Sequence, residues 1–283
     1  MLNALVWGLS WWPLRQLNAL GLHPLWVTAF VFSSVTVLLT LLFPTAWRAF
    51  KQHPQLGWLV MASGLTNLGF NWAITTGDVV RVVLLFYLMP SWSLLLAWWL
   101  LDERPSRGAL ARLTLSLAGM WLVLHNPQTP LPLPQDLADY LALAAGCSFA
   151  VTNIWLLRLQ HAPESARMVA MFGGGALMAV ACAALASMGH VVPNFNTDIA
   201  LWWPWVVGLS VAILVGNFAL QYGAARLSAH TTAMVMMSEI VFASVSSIAL
   251  GAAAPTWQVV MGGGLIVLTA LFASQAHAHD APQ

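Results

Sequence analysis

Residues 86–105 read FYLMPSWSLLLAWWLLDERP, a long apolar run with a proline near its start and two adjacent acids at its end. A helix this apolar belongs in lipid, yet it carries a break, a tyrosine and a charged stop. Pro90 removes one helix hydrogen bond and its ring presses on the preceding turn, which frees a carbonyl near Phe86 and bends the helix at about mid-membrane depth. Tyr87 lies just before the bend with a hydroxyl that needs a partner when buried. Tyr87 and Pro90 are thus candidates for a cavity wall, although a kinked packing helix with a satisfied tyrosine accounts for them as well.

The rest of the chain agrees with a lipid setting. Of its 283 residues 60% are hydrophobic and 7% charged, far below the quarter or so usual in a water-soluble domain. The near-zero net charge offers no clustered basic face, so a nucleic-acid partner is not expected. Cys147 and Cys182 both sit in apolar runs and read as packing residues rather than a disulfide framework or a metal site. The N-terminus lacks the basic n-region and cleavage site of a signal peptide and is kept as a span.

Stretches of about twenty apolar residues, the length a bilayer core demands, occur ten times. The first five are roughly Leu2 to Leu20, Pro24 to Phe43, Leu56 to Thr76, Val79 to Leu101 and Ala109 to Leu124. The second five are Leu137 to Leu157, Ala166 to Gly189, Leu201 to Tyr222, Ala229 to Leu250 and Trp257 to Ser274. All are expected to be helical, because lipid offers open backbone groups no partner and the alternation of barrel strands is missing. With a cytoplasmic N-terminus, Arg48, Lys51, Arg104, Arg107, Arg112, Arg158, Arg167 and Arg226 fall on the cytoplasmic side, and only Arg15 and Arg81 fall outside. That bias follows the positive-inside rule and puts both termini in the cytoplasm. Asp102, Glu103 and Arg104 then form a solvated stop at the cytoplasmic end of the fourth span.

The two halves repeat. Setting the segment from Asn71 over the segment from Asn217 aligns Pro90 with Ile240, beside Glu239, and Pro105 with Pro255. WGLSWW from Trp7 lies over AGCSFA from Ala145, pairing Gly8 with Gly146 and Ser10 with Ser148. An odd number of spans per copy makes the second enter the membrane from the opposite face, the inverted topology of many secondary transporters. The expected fold is therefore an all-α membrane protein of ten transmembrane helices in two inverted five-helix repeats, residues 1–126 and 127–283.

WGLS in the first span, YLMPSWSLLLAWWLLDERPS across the fourth and MMSEIVFASVSSIAL in the ninth resemble the drug/metabolite transporter superfamily in its ten-helix EamA branch. Two departures stand out: Ile240 replaces the proline often found after the ninth-span glutamate, and LGAAAPT lacks the acidic stop. The resemblance implies a secondary transporter, an exporter or exchanger of amino acids and other small metabolites in the bacterial inner membrane.

Intramembrane polar residues supply the site candidates. Glu239 lies about halfway along the ninth span, where a carboxylate costs roughly 2.5 to 3.5 kcal/mol on insertion scales and marks a functional site by default. Asn67 and Asn71 share one helix face, as do Asn217 and Gln221, and the repeat-matched Asn71 and Asn217 are preferred for the cavity; Asn153 lies in the sixth span. Such amides also serve as helix glue. Trp7 and Trp11 share a face deep in the first span and can stack on an apolar solute. Arg15 has no local partner and is assigned to hold an anionic group in an outer vestibule, whereas Arg81 has Asp78 one turn before it. His230 is an ordinary boundary histidine. The glycine runs 173–175 and 262–264 read as close helix packing.

No nucleotide-binding loop with the Walker pattern is present, and no cofactor or metal is expected. The expected partners are a small-molecule substrate and the lipid bilayer, with a homodimer allowed. A membrane-embedded enzyme would need a convergent cluster of His, Asp or Glu, which the sequence does not display; a receptor or assembly protein would not need a paired polar midplane.

Overall fold

The computed structural model describes residues 1–101, 106–125, 133–193, 195, 198–224 and 229–279. Asp102, Glu103, Arg104, Pro105, Arg226 and the boundary near residue 126 lie outside them. Among the described residues the fold is entirely helical, with no strand. In chain order the helices are α1 (Leu2–Leu9), α2 (Trp11–Ala19), α3 (Pro24–Leu42), the short α4 (Arg48–Gln52), α5 (Leu56–Thr76), α6 (Val79–Phe86) and α7 (Met89–Leu101). They continue as α8 (Arg107–Leu124), α9 (Leu137–Arg158), α10 (Glu164–Met188), α11 (Ile199–Ala224), α12 (Ala229–Ala249) and α13 (Trp257–His279).

Side chains at the helix entrances satisfy donors that the helices cannot. Asp78 caps α6 through the Arg81 amide at 2.9 Å, Asp136 caps α9 through the Asp139 amide at 2.9 Å, and Ser106 caps α8 through the Ala109 amide at 3.2 Å. At α3 the cap is His23, whose Nδ1 accepts from the Leu25 amide at 3.3 Å. Burial holds the His23 pKa below its ordinary value, which keeps the imidazole neutral and that lone pair free. Gly21 and Gly251 end α2 and α12 at φ +86° and +67°, the left-handed conformation that lets the next amide reach back five residues, Leu22 to Leu17 and Ala252 to Ser247.

Among the described residues six helical stretches are long and apolar enough to cross a membrane: Pro24–Leu42, Val79–Leu96, Arg107–Leu124, Leu137–Arg158, Glu164–Met188 and Ile199–Leu220. The other expected spans fall short of that measure for separate reasons. The first is divided at Ser10 into α1 and α2, one turn ahead of Pro13, whose ring crowds the carbonyl four residues back. The third, α5, dilutes its hydropathy with Ser63, Thr66, Asn67 and Asn71. In the ninth and tenth the described apolar stretches run only over Val235–Ala249 and Trp257–Thr269.

Glycine sets the closest helix crossings. A Cβ on Gly64 would stand 2.7 Å from the Gly174 carbonyl oxygen, and one on Gly174 would collide with the Val60 carbonyl, so α5 and α10 cross backbone to backbone. Helices α8 and α13 do the same reciprocally: a Cβ on Gly119 would lie 2.7 Å from the Gly262 oxygen, and a Cβ on Gly262 2.5 Å from the Gly119 oxygen. Small residues allow this approach where lipid removes any hydrophobic drive between helices. Outward faces stay apolar. On α12, Val241, Val245 and Ile248 are exposed, while Glu239, Ala243 and Ser247 on the opposite face are buried, the stripe that a 3.6-residue period produces.

Candidate functional site

The break that Pro90 imposes is the first element of the site. Helix α6 ends at Phe86 and α7 begins at Met89, with Leu88 bonded to Leu85 in a tighter turn at 3.3 Å. The Phe86 carbonyl, four residues before Pro90, has lost its helical donor. Gly146 of α9 packs against it so closely that a Cβ there would lie 2.7 Å from the oxygen. Across the molecule Gly8 of α1 packs on α12 in the same manner, its would-be Cβ 2.9 Å from the Glu239 carbonyl oxygen.

Glu239 points inward at the middle of α12 and is 6% exposed. The Tyr87 hydroxyl, at the break, lies 3.0 Å from Glu239 Oε2 and 3.0 Å from the Met236 carbonyl oxygen. One hydroxyl carries one proton, and a backbone carbonyl only accepts. Tyr87 therefore donates either to an ionised Glu239, or to Met236 while a protonated Glu239 donates to the tyrosine oxygen. A single proton interconverts the two arrangements, so the pair is built to exist with and without it.

Glu239 borders a cavity of about 220 Å³, and Tyr87 reaches it through Glu239. Its polar lining includes Asn3, Asn67, Asn153, Asn217 and Glu239, with hydroxyls from Ser63, Thr66 and Thr152. Its aromatic lining includes Trp7, Phe32, Phe70, Phe86, Phe149 and Phe172. Several of these rings are contiguous: Trp7 meets Phe70 edge-on at 6.2 Å, Phe70 meets Phe86 at 4.7 Å, and Phe86 meets Phe149 at 5.4 Å. Among the described residues no three His, Cys, Asp or Glu side chains converge as a metal centre would require.

The cavity lies toward one end of the bundle. Its lining comes from α1 (Asn3, Trp7), the middle of α5 and the later parts of α9 and α11, with Met236 and Glu239 of α12. The opposite end is tied shut by charged groups. Arg81, at the start of α6, grips Asp139, at the start of α9, with Nε to Oδ1 at 2.8 Å and Nη2 to Oδ2 at 2.6 Å, and donates through Nη1 to the Val123 carbonyl near the end of α8 at 3.1 Å. The sequence-local pairing of Arg81 with Asp78 does not occur as an ion pair; the Asp78 carboxylate caps α6. Arg15 donates through Nη2 to the Gly77 carbonyl, lies 5.4 Å over the Trp11 ring, and faces the charge of Asp78.

Of the residues singled out by sequence, Trp7, Asn153, Asn217 and Glu239 line the cavity, and Tyr87 touches it through Glu239. Pro90 acts on the wall through the α6–α7 break. Three others lie elsewhere. Asn71 is 3% exposed and donates to Thr28 Oγ1 at 3.3 Å. Trp11 is 2% exposed and donates through Nε1 to Ser246 Oγ at 3.0 Å. Arg15 belongs to the closed end. Asn67, not Asn71, turns to the cavity. The side chains of Gln221 and His230 lie outside the described residues. Sequence reasoning passed over Asn3, whose polarity in an apolar segment was a usable signal, and Phe70, Phe86 and Phe149, which nothing in the sequence separates from lipid-facing rings.

Residues 1–125 match the model of the EamA-like transporter family. A solved structure, described only as a crystal structure of a protein, aligns over 99% of this chain and 96% of its own, with a TM-score of 0.60 and 18% identity, a likeness of fold alone. Among curated proteins none matches. The apolar helices and this match together support a multi-pass membrane protein whose residues 1–125 are similar to the EamA-like transporter family.

Proposed function

We propose that the protein is a secondary transporter that carries small amphipathic solutes, of the size of an amino acid or its amine, across the bacterial inner membrane by alternating access. The observation that carries this reading is a polar and aromatic cavity set toward one end of the bundle, while Arg15 and Arg81 bind helices together at the other. A membrane-embedded enzyme would need reactive groups in convergence, and a receptor has no use for a one-sided closure.

Ten crossings in two inverted repeats, residues 1–126 and 127–283, fit the packing. Exchanging the repeats maps several contacts onto one another. The Ser63 hydroxyl of α5 lies 3.3 Å from the Met171 carbonyl oxygen of α10, and the Ser210 hydroxyl of α11 lies 3.3 Å from the Val31 carbonyl oxygen of α3. Gly8 on α12 answers Gly146 on the α6–α7 break, and Gly119 with Gly262 forms a contact that maps onto itself, as a pseudo-two-fold axis requires. The exchange is imperfect in extent: α5 packs far more of its length on α10 than α11 does on α3. One-sided closure of a symmetric frame is the expected form of one end state of a rocking transporter.

With both termini in the cytoplasm the cavity lies toward the cytoplasmic side, since Asn3 at the start of α1 lines it. Purified protein in liposomes preloaded with unlabelled solute should then accumulate the labelled solute by counterflow. Uptake no greater than in empty liposomes, for every solute that binds, would remove the transporter reading. Export, facilitated diffusion and exchange are separated by the same liposomes with and without imposed gradients.

A further inference from the structure

We propose that the cavity recognises its solute through a protonated amine, and so takes organic ammonium ions with an aromatic or apolar body in preference to amino acids that carry a free carboxylate. The proposal rests on the transporter reading and names the substrate class of that site.

The charge inventory is one-sided. Glu239 is the one ionisable side chain among the described lining residues, and no Lys, Arg or His is among them. The arginines placed near mid-chain polar groups, Arg15 and Arg81, are committed at the closed end. A solute carboxylate would find no cation to pair with, and burying an unpaired charge is costly.

The hydrogen-bond inventory points the same way. The lining hydroxyls spend their single protons on helix carbonyls: Ser63 on Leu59 at 2.6 Å, Thr66 on Ala62 at 3.0 Å and Thr152 on Ser148 at 3.0 Å. Asn67 and Asn217 give Nδ2 to the carbonyls of Ser63 and Ile213, at 2.8 and 3.1 Å. A carbonyl cannot donate, so the amide orientation follows: each Oδ1 is turned away from that carbonyl as an acceptor, and each Nδ2 keeps its second N–H. The proton of Tyr87 is taken by Met236 or Glu239. The wall therefore presents hydroxyl and amide oxygens and the Glu239 carboxylate as acceptors, which suit a group with several N–H donors, and its one ionisable side chain suits a positive charge.

Asn3 supplies an independent pointer to a ligand. It is 3% exposed, both polar atoms of its side chain are buried without a partner, and it lines the cavity one turn before Trp7. An amide left in that state has an unmet acceptor and unmet donors, and a bound N–H donor satisfies its Oδ1. The contiguous rings of Trp7, Phe70, Phe86 and Phe149 complete the site, since aromatic faces attract a cation and accept an apolar body.

The test is equilibrium binding of radiolabelled 2-phenylethylamine to the purified full-length protein in nanodiscs, competed by phenylalanine and by 3-phenylpropionate, which share the ring and chain. Saturable binding of the amine is expected, with phenylalanine weaker by about tenfold or more and 3-phenylpropionate weaker still, and with about tenfold loss in Glu239→Gln, the size of a lost charged hydrogen bond. Phenylalanine binding as tightly as the amine, or no saturable binding of the amine, overturns the proposal. If Glu239→Gln does not fold, the amine-induced rise in thermal stability of the wild type, compared with Asn3→Leu, carries the same decision. Amine binding without counterflow would uphold this assignment and sink the transporter reading; counterflow of carboxylate solutes alone would do the reverse.

Discussion

Arg81 and Asp139 meet through two parallel hydrogen bonds of 2.8 and 2.6 Å across 58 residues of chain, with Asp139 almost wholly buried. Asp139 also accepts from the Gln135 amide at 3.0 Å, so the pair is held on both sides and joins α6, α8 and α9. A double-mutant cycle with Arg81→Gln and Asp139→Asn, read by denaturation, should show a coupling of about 1 to 3 kcal/mol, as for neighbours in one network. Coupling near zero would class the pair with solvent-screened surface bridges.

Protonation of Glu239 removes the charge that an ammonium pairs with. Amine affinity of the wild type should therefore fall as pH falls, and the Glu239→Gln variant should be weak and flat across the same range. The titratable group facing Glu239 among the described residues is Tyr87, from the α6–α7 junction; Tyr87→Phe keeps the carboxylate and should keep the pH dependence. A Glu239→Gln profile parallel to the wild type would take Glu239 out of the response.

Asn67 and Asn71 are one helical turn apart yet differ in role. Asn67→Leu should weaken solute binding several-fold with little loss of stability, because its Nδ2 bond stays within α5. Asn71→Leu should instead lower thermal stability, by about 1 kcal/mol for a lost buried hydrogen bond, while leaving affinity intact. Binding curves and melting temperatures of the two variants settle the matter; reversed effects would move the cavity to the other face.

Gly174→Val drives a side chain into the Val60 carbonyl, where neither backbone can yield cheaply. Destabilisation of at least about 1 to 3 kcal/mol is expected from such overpacking, seen as a lowered melting temperature or loss of folded protein. Gly208→Val, with nothing within 4 Å of its Cβ, is the matched control. Equal melting temperatures would mean that α5 and α10 do not cross at this point.

Val191 follows α10 and is 80% exposed. In a background with Cys147→Ala and Cys182→Ala, Val191→Cys should react with an impermeant thiol reagent in intact cells. Labelling only after permeabilisation would invert the proposed topology and with it the side to which the cavity opens.

The sequence by itself determined the class of solvent, the helical character of the apolar segments and the break at Pro90, because each follows from local chemistry: hydropathy over a window, the needs of backbone groups in lipid, and a missing amide proton. It also singled out Glu239, since a lone acid in an apolar run has few explanations. Which side of a helix faces what was decided only by the tertiary structure. Asn67 and Asn71 are equivalent by spacing, and their separation depends on where α3 and α10 pack against α5. Arg81 had a carboxylate three residues away, yet its guanidinium reaches the one on α9, because the Asp78 side chain is spent on a helix cap that offers better geometry. Arg15, free of charged partners on its own helix, is occupied by the Gly77 carbonyl brought to it from the end of α5, beside the Trp11 ring one turn before it. Packing distributes hydrogen-bond partners over the whole chain, and a partner distant in sequence leaves no periodic trace along it.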